Sequence, residues 1–305
     1  MKTVQLKYLS SFLLLALCVS FSIPEPVNSQ RLTDRNLILN PLANPNVDIA
    51  DEEVRWFTQV GGWAEFGNYG VKSDFHHSWY QELGAYFEIY RRGNRSSLAV
   101  TSQIEFIADP DNDIRFSPRS IFWEEGILYT SNRGGFFLQT GYYHRCKHDI
   151  DNLERGTERV PVYGSVMARV IVPFSINREK DALFSLKYDH YTITWERRLP
   201  REYEEINPNW EKLRLSITSN LTWQVPLGDN SNLHLGGYGM ATLFDDAGFR
   251  GNGELRAEIG NSSRAGDIRF GIHLEHLLDS GITVRPSSVT LIGVGLRVMS
   301  KGSVR

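Results

Sequence analysis

Gln81-Glu82-Leu83-Gly84-Ala85-Tyr86-Phe87-Glu88-Ile89-Tyr90 changes character at every second residue. Leu83, Ala85, Phe87 and Ile89 are apolar or small, while Glu82, Gly84, Tyr86, Glu88 and Tyr90 carry most of the polarity. A period of two is a β-strand with one apolar and one polar face. The pattern returns over 56–67, 79–91, 97–107, 121–131, 135–147, 162–174, 182–196, 212–225, 232–244, 252–261, 267–276 and 289–299. A bilayer is crossed by roughly 9–11 tilted strand residues. Single-chain bacterial barrels have even strand numbers, so the pattern predicts an all-β fold, an antiparallel transmembrane β-barrel of about 12 strands, with about ten or fourteen as the neighbouring solutions.

The clearest strand is 213–225. Leu213, Leu215, Ile217, Leu221, Trp223 and Val225 form one face, and Arg214, Ser216, Thr218, Asn220, Thr222 and Gln224 form the other. A soluble barrel would turn the apolar face inward, a membrane barrel outward. Periodicity alone does not choose. Strand number and the many charged alternates favour the membrane. The inward set is then Glu82, Glu88, Glu105, Arg169, Arg214, Glu254, Arg256, Glu258, Arg269, Glu275 and Arg297. Both charge signs occur on the neighbouring strands 252–261 and 267–276, so cross-strand pairs favour a sealed or narrow lumen. Trp56, Trp63, Trp79, Tyr80, Trp123, Tyr142, Tyr143, Trp195 and Trp223 lie near strand ends, as an interfacial girdle requires.

Composition agrees. With 305 residues, a net charge of -3 and a mean hydropathy of -0.32, the chain is too polar for a helical membrane protein. No basic stripe points to nucleic acid. Lys2 and Lys7 precede an apolar run over 9–19, too short to span a bilayer and suited to a signal-peptide core. Cleavage is expected after Ser29, with Ser22 as the alternative; Leu15-Ala16-Leu17-Cys18 also resembles a lipobox, against which the size of Leu17 argues. The domain reading is a signal peptide over 1–29, a periplasmic lead-in over 30–53 and an outer-membrane barrel over 54–305. Export leaves Cys146 as the one cysteine, so no disulfide forms within the mature chain. With a periplasmic amino terminus, the charge-rich connections 148–161 and 197–211 are extracellular. No terminal aromatic follows the last strand.

The densest polar stretch is Tyr142-Tyr143-His144-Arg145-Cys146-Lys147-His148-Asp149-Ile150-Asp151-Asn152. Along a strand His144, Cys146 and His148 share one face, and Arg145, Lys147 and Asp149 the other. This motif, with the lead-in Asn40-Pro41-Leu42-Ala43-Asn44-Pro45, resembles a family of bacterial outer-membrane proteins known only as a domain of unknown function, whose members carry Ser where Cys146 stands. The resemblance implies the fold and an outer-membrane location, and no activity.

Three readings compete for the stretch. As a lipid hydrolase, His144-Arg145-Cys146 resembles the His-x-Ser pair of outer-membrane lipid A deacylases, with His144 as base and Cys146 as nucleophile. As a metal site, His144, Cys146 and His148 suit Zn²⁺, and Asp149, Asp151 and Asn152 suit Ca²⁺. As a structural strand end, Arg145 and Lys147 meet lipopolysaccharide phosphates. Asp189-His190 and His273-Leu274-Glu275-His276 are the other candidates; His273 and Glu275 share the inward face, so a salt-linked lumen network explains them better than catalysis. Glu124 and Glu125 point to opposite faces, and phosphate-loop, nucleophile-elbow and zinc-protease motifs do not occur. The expected role is non-enzymatic, in the outer membrane of a Gram-negative bacterium: a narrow pore, a binding surface or an envelope-structural barrel. No cofactor is implied. The expected partners are outer-membrane lipid and lipopolysaccharide. The alternative is a lipid hydrolase using His144 and Cys146. Oligomeric state and cargo stay open.

Overall fold

The computed structural model describes residues 38–44, 47, 49–50, 52–73, 77–108, 118–149, 158–176, 181–199, 212–245, 248–277 and 288–304. The proposed signal segment and its cleavage sites lie outside these residues. Two short strands, β1 (Ile38–Leu39) and β14 (Ser303–Val304), flank twelve long ones. These are β2 (Val54–Lys72), β3 (Trp79–Arg92), β4 (Ser96–Ala108), β5 (Pro118–Asn132), β6 (Phe137–Asp149) and β7 (Glu158–Phe174). The series continues with β8 (Ala182–Leu199), β9 (Leu213–Pro226), β10 (Ser231–Phe244), β11 (Gly248–Ser262), β12 (Gly266–Leu277) and β13 (Val289–Ser300). Each pairs antiparallel with its sequence neighbours, and β13 closes on β2 from Leu291–Lys72 to Met299–Trp63. All twelve predicted strands are present, most of them a few residues longer at one end.

The β13 side chains settle which face is which. Ile292, Val294, Leu296 and Val298 are exposed, while Leu291, Arg297 and Met299 are buried. The same reversal holds on β12, where Ile268, Phe270, Ile272 and Leu274 face out and Arg269, His273 and Glu275 face in. In water this would be inside-out. In a bilayer it is the required arrangement, because the sheet closes on itself and the apolar belt meets lipid. The chain is an outer-membrane β-barrel.

Short connections, 93–95, 133–136, 227–230 and 263–265, lie at the end where β2 begins and β13 finishes. The other end carries 73–78, 109–117, 150–157, 200–212, 245–247 and 278–288, four of them longer than 175–181, the longest at the first end. Short periplasmic turns and long external loops put both described chain ends on the periplasmic side.

Those ends close the periplasmic mouth. Ile38 pairs with Val304 and Leu39 with Ser303, and the Asn40 amide donates to Gly302 O at 2.9 Å. A single 3-10 turn, Pro41–Ala43, follows; its cap Asn40 accepts from the Leu42 amide at 3.2 Å. Gln139 Nε2 donates to Leu39 O at 2.7 Å, and Gln59 Nε2 and Arg91 Nη1 donate to Pro41 O at 2.9 and 3.1 Å. Ile38, Leu39 and Leu42 are buried. Gly302 makes the tail's return possible. Its φ of +93° is a region L side chains avoid, and a Cβ there would meet Tyr86 Oη at 2.3 Å. Gly302→Val should free the tail for carboxypeptidase digestion while the barrel keeps its heat-modifiable gel mobility; an equally protected tail would refute the clasp.

Three sequence expectations need correction. A bulge between Glu88 and Tyr90 leaves Ile89 without a partner on β4. Tyr90 therefore turns outward, edge-on to the exposed Trp56 at 5.4 Å, and Arg91 turns inward. A second bulge, where Leu243 pairs with Leu215 and Phe244 with Leu213, ejects Arg214 from the lumen and buries Leu213. Arg214 instead makes an exposed ion pair with Asp245, whose carboxyl it holds below its usual range. An extra residue reverses the faces beyond it, which alternation alone does not reveal. Third, Trp63, Tyr80 and Tyr143 are buried lumen residues, not girdle members. Trp63 and Tyr80 lie over the glycines opposite them, Gly84 and Gly67, where a Cβ would come within 2.1 and 2.2 Å of the rings. Trp56, Trp79, Trp123 and Trp195 remain on the lipid face.

Candidate functional site

Two polar regions stand out, one inside the barrel and one outside. Inside, β2, β11, β12 and β13 bring their inward charges together. Glu65 is the hub. Its Oε1 accepts from Arg256 Nη1 and Tyr80 Oη, both at 2.8 Å, and its Oε2 accepts from Arg297 Nε and Nη2 at 2.9 and 2.8 Å. Arg256 also donates to Glu254 at 2.8 Å and to Glu258 at 3.3 Å. Arg297 reaches Glu258 at 3.2 Å. Arg269 pairs with Asp267 at 3.1 Å, and Tyr69 Oη lies 3.4 Å from Glu275. The expected lumen residues Glu254, Arg256, Glu258, Arg269 and Glu275 are all buried here. Glu65 was missed, although its alternation with Trp63 and Gly67 could have found it.

The opposite wall carries more pairs. Arg145 meets Glu105 at 3.2 Å and Glu124 at 3.4 Å, Arg159 meets Glu196 at 2.8 Å, and Lys187 meets Asp189 at 3.2 Å. Tyr143, Tyr163 and Tyr191, on the neighbouring strands β6, β7 and β8, stack edge to face along this wall, with centroids 6.3 and 5.5 Å apart. Between the walls lies a cavity of about 450 Å³, lined among others by Arg256, Arg269, Arg297 and His234, with Asn40 and Ala43 at its edge.

Outside, β5 and β6 present the motif singled out in the sequence. His144, Cys146 and His148 face out, and Arg145 and Lys147 are buried inside. Lys147 Nζ donates to Arg159 O at 2.9 Å. The expectation that Arg145 and Lys147 meet lipopolysaccharide phosphates therefore fails: strand alternation points both into the lumen. Glu124 and Glu125 divide as expected, Glu124 inward to Arg145 and Glu125 outward, directly opposite His144. His148 Nε2 lies 3.1 Å from Cys146 Sγ. The Asp149 side chain, Asp151 and Asn152 lie outside the described residues, and among the described residues no cluster has the ligands for a metal ion.

Depth can be read from register. Trp123 pairs with Cys146, Cys146 with Val162, and Val162 with Trp195. This row has an outward tryptophan at each end, toward the extracellular ends of its strands. Aromatic girdles mark the headgroup level, so Cys146 sits at the outer-leaflet interface. His144 and Glu125 lie two pairs deeper, on the same face.

No protein-family model matches the chain, and no curated protein matches it. Solved barrels are similar in strand arrangement. The outer-membrane phospholipase of Salmonella typhi, a dimer with bound calcium, is 12% identical, with 86% of this chain and 98% of that chain covered and a TM-score of 0.48. LpxR from Salmonella typhimurium is 8% identical over 78% and 99%, with a TM-score of 0.43. An outer-membrane channel from Pseudomonas putida F1 is 12% identical over 84% and 99%, with a TM-score of 0.45.

Proposed function

We propose that this is a sealed, non-conducting outer-membrane barrel that binds outer-leaflet lipid through its exterior. The observation behind it is the outward patch of Glu125, His144, Cys146 and His148, flanked by Trp123. Polar and ionisable groups toward lipid are costly at the midplane and cheap at the headgroup level. There they match phosphate, amide and hydroxyl groups of phospholipid or lipopolysaccharide. The paired lumen charges and the terminal clasp support the sealed state.

In a planar bilayer the purified barrel is expected to pass no steady current, and a large open-channel current would overturn the sealed reading. Mass spectrometry of co-purified lipid tests the patch. Glu125→Leu with His148→Leu should lower bound lipid several-fold, and an unchanged lipid content would refute the binding surface.

The 3.1 Å contact between Cys146 Sγ and His148 Nε2 favours a second reading, hydrolysis of a lipid ester. The thiol would pass its proton to a histidine and attack the acyl carbonyl. The alcohol would leave with that proton, and water would then cleave the thioester. His148 is the histidine in contact; His144, the base expected from the sequence, lies on the other side of Cys146 and faces Glu125. Fatty acid release from phospholipid or lipid A that vanishes in Cys146→Ala would put this reading first.

A further inference from the structure

We infer that the lumen holds a binding site for one small oxyanion, centred on Arg169. Arg169 lies on β7 and is only 7% exposed. Among the described residues its guanidinium has neither an ion pair nor a hydrogen bond, and its buried Nε has no acceptor. An arginine does not escape this by losing its proton. An uncompensated buried charge is strongly destabilising, so something must offset it.

Its neighbours do not. Across the ladder on one side stands Lys187, a second cation. Like charges directly opposite repel, and Lys187 is already committed to Asp189 at 3.2 Å and to the Tyr143 ring at 4.6 Å. On the other side stands Gln139, whose Nε2 holds Leu39 O and Thr130 Oγ1 and whose Oε1 receives no hydrogen bond. Glu124 is the one carboxylate lining the same pocket, and it faces Arg145 at 3.4 Å.

The pocket has the size of the missing partner. Its volume is about 70 Å³, and its lumen-side lining includes Arg169, Lys187, Gln103, Glu124, Trp63 and Tyr143, with Leu39 of the clasp beside them. A water needs about 10–15 Å³ by this measure, so the space takes roughly five waters or the five heavy atoms of a tetrahedral oxyanion. Guanidinium binds such a group through two parallel N–H donors, and Lys187 adds a point charge beside it. Phosphate and sulfate share this chemistry.

The test is thermal unfolding of the purified full-length barrel in detergent, with inorganic phosphate titrated against chloride at fixed ionic strength. Wild type should show a saturable, one-site rise in midpoint. Arg169→Gln should show none, and without phosphate it should be at least as stable as wild type, because the uncompensated charge is gone. General salting effects act on both proteins equally. Should Arg169→Gln not assemble, Lys187→Gln should weaken the half-saturating phosphate concentration about tenfold, equivalent to roughly 1.4 kcal/mol. Sulfate acting like phosphate supports the oxyanion class. A wild-type midpoint indifferent to both anions, or an equal rise in Arg169→Gln, overturns the site.

Discussion

Glu65→Ala should destabilise the barrel by about 3–5 kcal/mol, the cost of breaking a buried ion pair from one side. Glu65 accepts from both Arg256 and Arg297, and each contact is 2.9 Å or shorter. Without it Arg256 keeps Glu254 and Glu258, but among the described residues Arg297 keeps only the Glu258 carboxylate at 3.2 Å. Tyr80 Oη also loses Glu65 as an acceptor. The measurement is the denaturant midpoint of the refolded barrel. Arg297→Met on the Glu65→Ala background should recover part of the loss, because the stranded cation is then removed as well. A loss under about 1 kcal/mol, near that of exposed pairs, would mean that lumen water already screens the hub.

The lumen network also shows how far alternation can be read. Charged alternates over 252–261 and 267–276 locate Arg256, Glu258, Arg269 and Glu275 on the inner wall, because each sits mid-strand with no irregularity between it and the turn. The same rule fails at Arg214 and Tyr90, where bulges insert one residue and exchange the faces. A bulge is fixed by pairing with the neighbouring strand, so a single strand's pattern does not contain it. Trp63, Tyr80 and Tyr143 fail for another reason. Tryptophan and tyrosine suit both a girdle and a lumen that offers a hydrogen-bond partner, and only the glycines opposite Trp63 and Tyr80 mark them as inward. The motif at His144–His148 was legible as a face but not as a contact. Alternation puts His144, Cys146 and His148 together, whereas the choice of His148 as the partner of Cys146 depends on rotamers. Nor does the sequence show that Arg169 lacks a partner, since that depends on where Lys187 and Glu124 find theirs.

Ile217→Arg is expected to lower the barrel's stability by up to about 2–4 kcal/mol, the cost of a cation on the lipid face near the midplane. Ile217 is exposed on β9, between Tyr188 of β8 and Ala241 of β10. The next residue, Thr218, is buried in the lumen, and its hydroxyl has no hydrogen-bond partner among the described residues. Thr218 faces Lys187 across the β8–β9 ladder. The sequence pattern alone would place an arginine there as readily as any polar residue, but the register makes it a second cation beside Lys187. Thr218→Glu should therefore be the tolerated neighbour, since its carboxylate can pair with Lys187. Val298→Arg, on the lipid face close to the periplasmic end of β13, should cost only about 0–1 kcal/mol, because the penalty falls toward the interface. Unfolding midpoints for the three variants give a depth profile. Equal losses for Ile217→Arg and Val298→Arg would mean that the exposed faces of these strands do not meet the hydrocarbon. A tolerated Ile217→Arg with a disabled Thr218→Glu would reverse the faces and make the barrel a soluble one.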